Sequence, residues 1–245
     1  MGQVPEITYG IIGDGRMARH MIHYLTLRAI PYKQWSRKTS KLSPLETLST
    51  CSIILVLIKD SAIDSFIQSW PEFKNKTLIH FSGALVTKSA QGLHPLMTFG
   101  SELYDLTTYE QIPFISEKEG HSFKKIFPQL KNPFYAIDVQ LKPLYHALCV
   151  MSGNFTVLLW QSLFETLEKK MMIPRSAALP YLQQTAKNLV TQSQKALTGP
   201  ISRKDYSTIL KNIAALDDNP LQEIYLSFVK VYLPDLAHRP DEVKI

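Results

Sequence analysis

The stretch Thr8-Tyr9-Gly10-Ile11-Ile12-Gly13-Asp14-Gly15-Arg16-Met17-Ala18 decides how this chain is read. A short β-favouring run leads into G-x-G-x-x-A. Met17, Ala18, Met21, Ile22, Leu25 and Ala29 then recur at helical spacing until Pro31. Strand, glycine turn and helix in that order bring the free N–H groups of a helix start to a loop without bulky side chains, which suits an anion. Gly13 permits the tight turn, Gly15 lets backbone approach a pyrophosphate, and the small Ala18 lets the helix pack closely on the strand. Arg16 and Met17 lie in the same first turn, so Gly13, Gly15, Arg16, Met17 and Ala18 are the expected phosphate-side residues, with Asp14 pointing away from the anion.

Tyr32–Trp35 offers a second strand, and Ser36-Arg37-Lys38 follows 21 to 23 residues after Gly15. Where an NAD unit carries an acid for the ribose hydroxyls, a hydroxyl and two cations suit a 2′-phosphate, so Ser36, Arg37 and Lys38 predict NADP(H). Ser43-Pro44-Leu45-Glu46 has the pattern of a capped helix start. Ser52 to Ile58 is a continuous apolar run typical of a strand buried on both faces, and Thr77 to Phe81 repeats it. Ile112 to Ile115 and Phe134 to Ile137 extend the sheet. Strands alternating with helical patterns predict an α/β doubly wound, mostly parallel sheet. Ser82 and Gly83, at the carboxyl end of the 77–81 strand where such sheets bind ligands, are further expected cofactor-binding residues. Lys59-Asp60 ends the third strand in the same way, with Asp60 also placed to cap the next helix, and Gly92-Leu93-His94-Pro95 reads as a fixed-φ turn carrying an imidazole.

After about residue 140 helical patterns take over: Leu144 to Lys170, Arg175 to Leu197, Asp205 to Leu216 and Leu221 to Tyr232. Asp138 is a candidate cap, and Pro143 fits within a first turn. The expected division is a dinucleotide-binding domain, 1–139, and an all-α domain, 140–245. The tail from Pro234 has too little apolar content to pack firmly.

Composition narrows the function classes. Among 245 residues, 45% are hydrophobic and 20% charged, a globular balance that excludes fibrous and disordered classes. The longest uninterrupted apolar runs are about seven residues, so no membrane span is expected, and without a targeting pattern the expected location is cytoplasmic. The net charge of +6 is spread along the chain without a basic stripe or finger spacing, so no nucleic-acid partner is expected. Cys51 and Cys149 sit in strand-like and helix-like runs and show no metal spacing, so neither a disulfide nor a metal is expected.

Candidate chemistry lies on the long helix. Lys142 and His146 are four apart on one face, with Gly153 and Asn154 two to three turns beyond. Hydride addition to a carbonyl or imine needs a positioned acid and a group holding the substrate oxygen or nitrogen; Lys142 or His146 can supply the proton, and Asn154 can orient the acceptor. His94, Thr198 and Arg203 are candidate substrate residues, Arg203 as a bidentate partner for a carboxylate.

Taken together, GIIGDGRMA, IHFSGAL, GLHPLMTF, LKPLYHALCVMSGN and TGPISRKDY resemble a Rossmann-like oxidoreductase family that joins an NADP-binding domain to a C-terminal helical domain long described as of unknown function. The likeness covers nearly the whole chain. The family is similar in plan to the 6-phosphogluconate, 3-hydroxyacid and pyrroline-carboxylate enzymes. This resemblance implies a C-terminal domain like that of 6-phosphogluconate dehydrogenase, supplying substrate residues and a homodimer interface. Some members resemble an alternative ketopantoate reductase, which implies reduction of 2-dehydropantoate to pantoate. Lys142 and Asn154 would then stand for that enzyme's proton donor and orienting amide. An imine reductase of the pyrroline-carboxylate type and a non-catalytic NADPH-binding sensor are the alternatives. After Arg203, where the family often has glycine, this chain has Lys204.

Overall fold

Four residues with no charge, Tyr9–Ile12 (β1), can be buried along their whole length only at the middle of a sheet, and there they lie. The computed structural model describes residues 7–237. β1 pairs in parallel with Tyr32–Trp35 (β2) on one side and Ile53–Val56 (β3) on the other. Thr77–His80 (β4) and Gln91–Pro95 (β5) continue the parallel set, Phe114–Glu117 (β6) runs antiparallel to β5, and Phe134–Ile137 (β7) is parallel to β6. The order is β2-β1-β3-β4-β5-β6-β7. Between β1 and β3 the strand order changes direction, so their carboxyl ends form the crevice where open α/β sheets take ligands.

Helices cover the sheet. Arg16–Leu27 (α1) buries Ala18, His20, Met21, Tyr24 and Leu25 in a core shared with Ile11, Leu55, Ile79, Leu93, Phe114 and Phe127. Pro44–Thr47 (α2) opens on a capping box in which Ser43 and Glu46 bond each other's backbone. Asp60–Ser69 (α3) packs Ile63 with Ile12, Trp35, Leu48, Ile54 and Val56. Leu106–Gln111 (α4) is capped by Asp105, and Phe123–Ile126 (α5) is one turn.

Lys142–Cys149 (α6), a π-helical turn at Val150–Phe155 and Thr156–Lys170 (α7) belong to one helix, Val139–Lys170. Its 18-residue apolar window has mean hydropathy 1.4 and is unburied, so by length and composition it could cross a membrane. The expectation of no such segment rested on uninterrupted runs. His146, Ser152 and Asn154 break the run without making the helix short.

Two compact units are seen, Met1–Leu159 and Trp160–Ile245. Among its described residues the second is helical: Leu179–Thr191 (α8), Gly199–Arg203 (α9), Tyr206–Ala215 (α10), Leu221–Tyr232 (α11) and Pro234–Ala237 (α12). Its core gathers Ile209, Val229, Leu233 and Leu236.

Several local expectations are corrected. Gly92-Leu93-His94-Pro95 is strand β5, because Leu93 is wholly buried between β4 and β6 and the proline comes last, where its missing N–H costs no interior ladder bond. Lys59, not Asp60, is the N-cap of α3. Asp138 makes no capping bond; its carboxylate pairs with Lys118 at 2.9 Å. Gly199, which could have ended a helix, instead opens α9 at φ +85°, whereas Asp205, one of the two caps the sequence offers with Ser202, does cap α10 by accepting from the Thr208 N–H. Lys204 adopts φ +53°, the left-handed conformation that glycine takes without strain. The expected helix from Arg175 to Leu197 is α8 flanked by 3-10 turns. The tail packs at Pro234–Ala237 through Leu236; 238–245 lie outside the described residues.

Candidate functional site

At the β1–α1 turn, Gly13 has φ +131°, and a Cβ there would strike the Leu57 backbone carbonyl. Only glycine fits. Gly15 is the N-cap of α1, offers no side chain to the first N–H groups, and has no heavy atom within 4 Å of where a Cβ would stand. The helix start therefore keeps open space before unsatisfied donors, the condition for a bound phosphate. Ala18 is fully buried against the sheet. Met17 packs on the core, and the Arg16 guanidinium donates to the Phe99 carbonyl at 3.2 Å.

Ser36, at the end of β2, is buried, and its hydroxyl shares a 2.8 Å hydrogen bond with Thr39. Its backbone N–H donates to Ser40 Oγ, closing the 36–40 turn. Arg37 and Lys38 project into solvent from that turn. The Lys38 ammonium comes to 3.9 Å of the Asp14 carboxylate, drawing this acid's charge toward the basic turn. A dinucleotide with a 2′-phosphate fits these residues: glycines and free N–H groups for the pyrophosphate, and two unburied cations 22 and 23 residues after Gly15.

A second cluster forms at the carboxyl ends of β4 and β5. Ser82 donates a short hydrogen bond to Asp60, while its oxygen accepts from the N–H groups of Ala84 and Leu85. His94 Nδ1 and the Tyr145 hydroxyl are 2.7 Å apart. The rings of His94 and His146 meet edge to face at 5.7 Å. His146 Nδ1 is buried without a hydrogen-bond partner, and the ring lies over Gly83. Burial, with His146 and Lys142 nearby, pushes His94 down to about 4, so it is neutral near pH 7. Burial also raises the Tyr145 hydroxyl, with Cys149 beside it.

Lys142 is only 4% exposed, and its ammonium donates to Glu117 Oε1 at 2.6 Å and to the Leu85 carbonyl at 2.5 Å. His80, on β4, is wholly buried with Nε2 unpaired, and burial and the Lys142 charge bring it down to about 4. Asn154 is exposed within the π turn, a helical irregularity often found at functional sites. In the second unit Thr198 is the N-cap of α9 and Arg203 lies in its last turn, both exposed.

Thus Ser82, Gly83, His94, Lys142 and His146 come together, and Gly13 to Ala18 adjoin Ser36 to Lys38 at the ends of β1 and β2. Sequence reading missed Asp60 as partner of Ser82, and Tyr145, Glu117 and His80. For Glu117 a signal existed: a carboxylate closing an otherwise uncharged strand needs a partner.

Residues 115–231 match the family model described as a domain of unknown function, DUF2520. No curated protein matches the chain by sequence. Among solved structures, a provisionally named NADP oxidoreductase from Bacteroides fragilis is similar with a TM-score of 0.74 at 22% identity, covering 93% of this chain and 98% of that one. A Plasmodium falciparum pyrroline carboxylate reductase with NADP bound gives 0.59 at 17%, covering 94% and 98%. An imine reductase from Myxococcus stipitatus in complex with NADP+ gives 0.64 at 15%, covering 95% of each. Over residues 115–231 the chain is thus similar to the DUF2520 family model, and over nearly its whole length it shares the Rossmann-like fold of these solved structures.

Proposed function

We propose that this protein is an NADPH-dependent reductase, with 2-dehydropantoate as its substrate and pantoate as product. The observation that carries the reductase reading is that the open Gly13–Gly15 helix start and the His94, Tyr145 and His146 group belong to one unit and to the same carboxyl edge of its parallel strands. NADPH, when bound, supplies a hydride to the substrate carbon. Gly13, Gly15 and the first turn of α1 hold the pyrophosphate, and Ser36, Arg37 and Lys38 hold the 2′-phosphate. His146 gives its proton, from Nε2, to the oxygen that gains charge as the carbonyl is reduced. Lys142 is the weaker candidate for this proton, because its ammonium already spends two hydrogen bonds on Glu117 and Leu85. Asn154 orients the carbonyl and His94 lines the substrate; within the second unit Thr198 and Arg203 stay candidate substrate residues, Arg203 for a carboxylate. We further propose two domains, 1–139 and 140–245, and a cytoplasmic homodimer.

Imine reduction is the second reading, favoured by the Asp60 carboxylate beside Ser82, which suits the positive charge of an iminium nitrogen better than a keto oxygen. Solved structures of similar fold include pyrroline carboxylate and imine reductases. The experiment is NADPH oxidation followed by absorbance with ketopantoate, with a cyclic imine, and with NADH as control. Ketopantoate-dependent loss of NADPH supports the first reading, and turnover of the imine alone replaces it with the second. Saturable NADPH binding without turnover of either leaves a sensor.

A further inference from the structure

We propose that Gly83 and Gly92 are positioning residues, each a seat without a Cβ for one side chain of α6: Gly83 for His146 and Gly92 for Lys142. Neither glycine has a positive φ, so backbone conformation does not demand glycine at either place. Space does. A Cβ on Gly83 would come within 3.0 and 3.1 Å of His146 Cε1 and Cγ, and closer still to Nδ1. A Cβ on Gly92 would run into the Lys142 ammonium and stand 2.7 Å from Glu117 Oε1 and 3.2 Å from His80 Cε1.

The two seated residues are four apart, one above the other on the helix face. Their seats lie just beyond the end of β4 and inside β5, which neighbour each other in the sheet. Lys142 is fixed by hydrogen bonds as well as by its seat. His146 has no such tie: Nδ1 is buried and unpaired, so packing against Gly83 and the edge of His94 sets the ring plane. Through that plane Gly83 decides where Nε2 points. This inference rests on the reading of His146 as proton donor, and Gly83 would act on the reaction only through that ring.

The test uses the full chain. Histidine Hε1–Cε1 resonances are recorded at fixed pH, with the His146 signal assigned by its loss in His146→Ala, and kcat, KM and NADPH affinity are measured alongside. Gly83→Ala is expected to shift the His146 signal and lower kcat on the order of 10-fold or more. In a His146→Ala background, Gly83→Ala should lower kcat no further. An unmoved His146 signal, or an equal kcat loss in that background, overturns the proposal. If the wild type turns over no substrate, the reductase reading fails, while the resonance still decides the seat. Should Gly83→Ala fail to fold, Gly83→Ala/His146→Ala must fold, since the ring's space is then vacant; its failure overturns the seat. Gly92→Ala should lower Tm in the wild type but not in Lys142→Ala/Glu117→Gln, and equal losses overturn that half.

Discussion

Lys142 and Glu117 illustrate how a single pair changes meaning on burial. With side chains 4% and 15% exposed, each ion depends on the other for the hydration it has lost. Lys142→Met should therefore cost about 3–5 kcal/mol, with much of the loss regained in Lys142→Met/Glu117→Leu, as read by urea denaturation. A surface pair would lose less than about 1 kcal/mol, and that result would contradict the buried placement. His80 and His94 set a pH dependence. Both titrate near 4 in the fold, below the ordinary histidine value of 6.5, so as pH falls from about 6.5 to 4 the unfolded chain takes up protons that the folded one refuses. Their contribution is complete above about 6.5 and declines below it, on the order of 3 kcal/mol per histidine by pH 4. His80→Gln should flatten this slope; an unchanged slope would mean that His80 is hydrated in the folded protein. The sequence places Lys142 and His146 on one helix face, but it does not show that one faces Glu117 and the other Gly83. Those partners lie 25 and 63 residues away, and strand pairing alone brings them together.

Elements divide by how local their causes are. Gly13 combines φ +131° with a blocked Cβ, so Gly13→Ala should destabilise by at least about 1–3 kcal/mol and weaken NADPH binding; a melting curve and a binding titration check both. β1, β2, β4, α2 and the break near Pro31 were legible because runs, caps and turn residues act over a few positions. β5 was not. Its glycine and proline carry turn signals, and only burial of Leu93 between two strands from elsewhere in the chain overrides them. The π turn at Val150–Phe155 also left no periodic signature, since one wide turn shifts apolar spacing too little to notice. If that turn serves to present Asn154, deleting Ser152 should keep helical circular dichroism yet abolish turnover. Retained turnover would show that the extra residue is incidental.

Across the whole molecule, apolar surface remains on the long helix. Leu144, Leu148, Met151, Phe155 and Leu158 recur every three or four residues and are each 50% to 58% exposed. Such a stripe is far more than the scattered apolar residues of an ordinary surface. The proposed homodimer would cover it, so light scattering should return twice the 27.9 kDa chain mass, and Phe155→Asp should shift the protein to monomer or aggregate. A monomeric wild type would remove that proposal. Among the described residues the seven-stranded order also leaves the sheet open at both sides, β2 and β7. Each margin is four residues long. β2 presents exposed Lys33 and Gln34, while β7 follows Pro133 and is flanked by the Lys118–Asp138 ion pair. Margins so short, one bearing Lys33 and the other bounded by a proline and an ion pair, give a strand from another molecule little to extend, and fibrillar growth in concentrated stocks should therefore be slow even when the long helix is left uncovered.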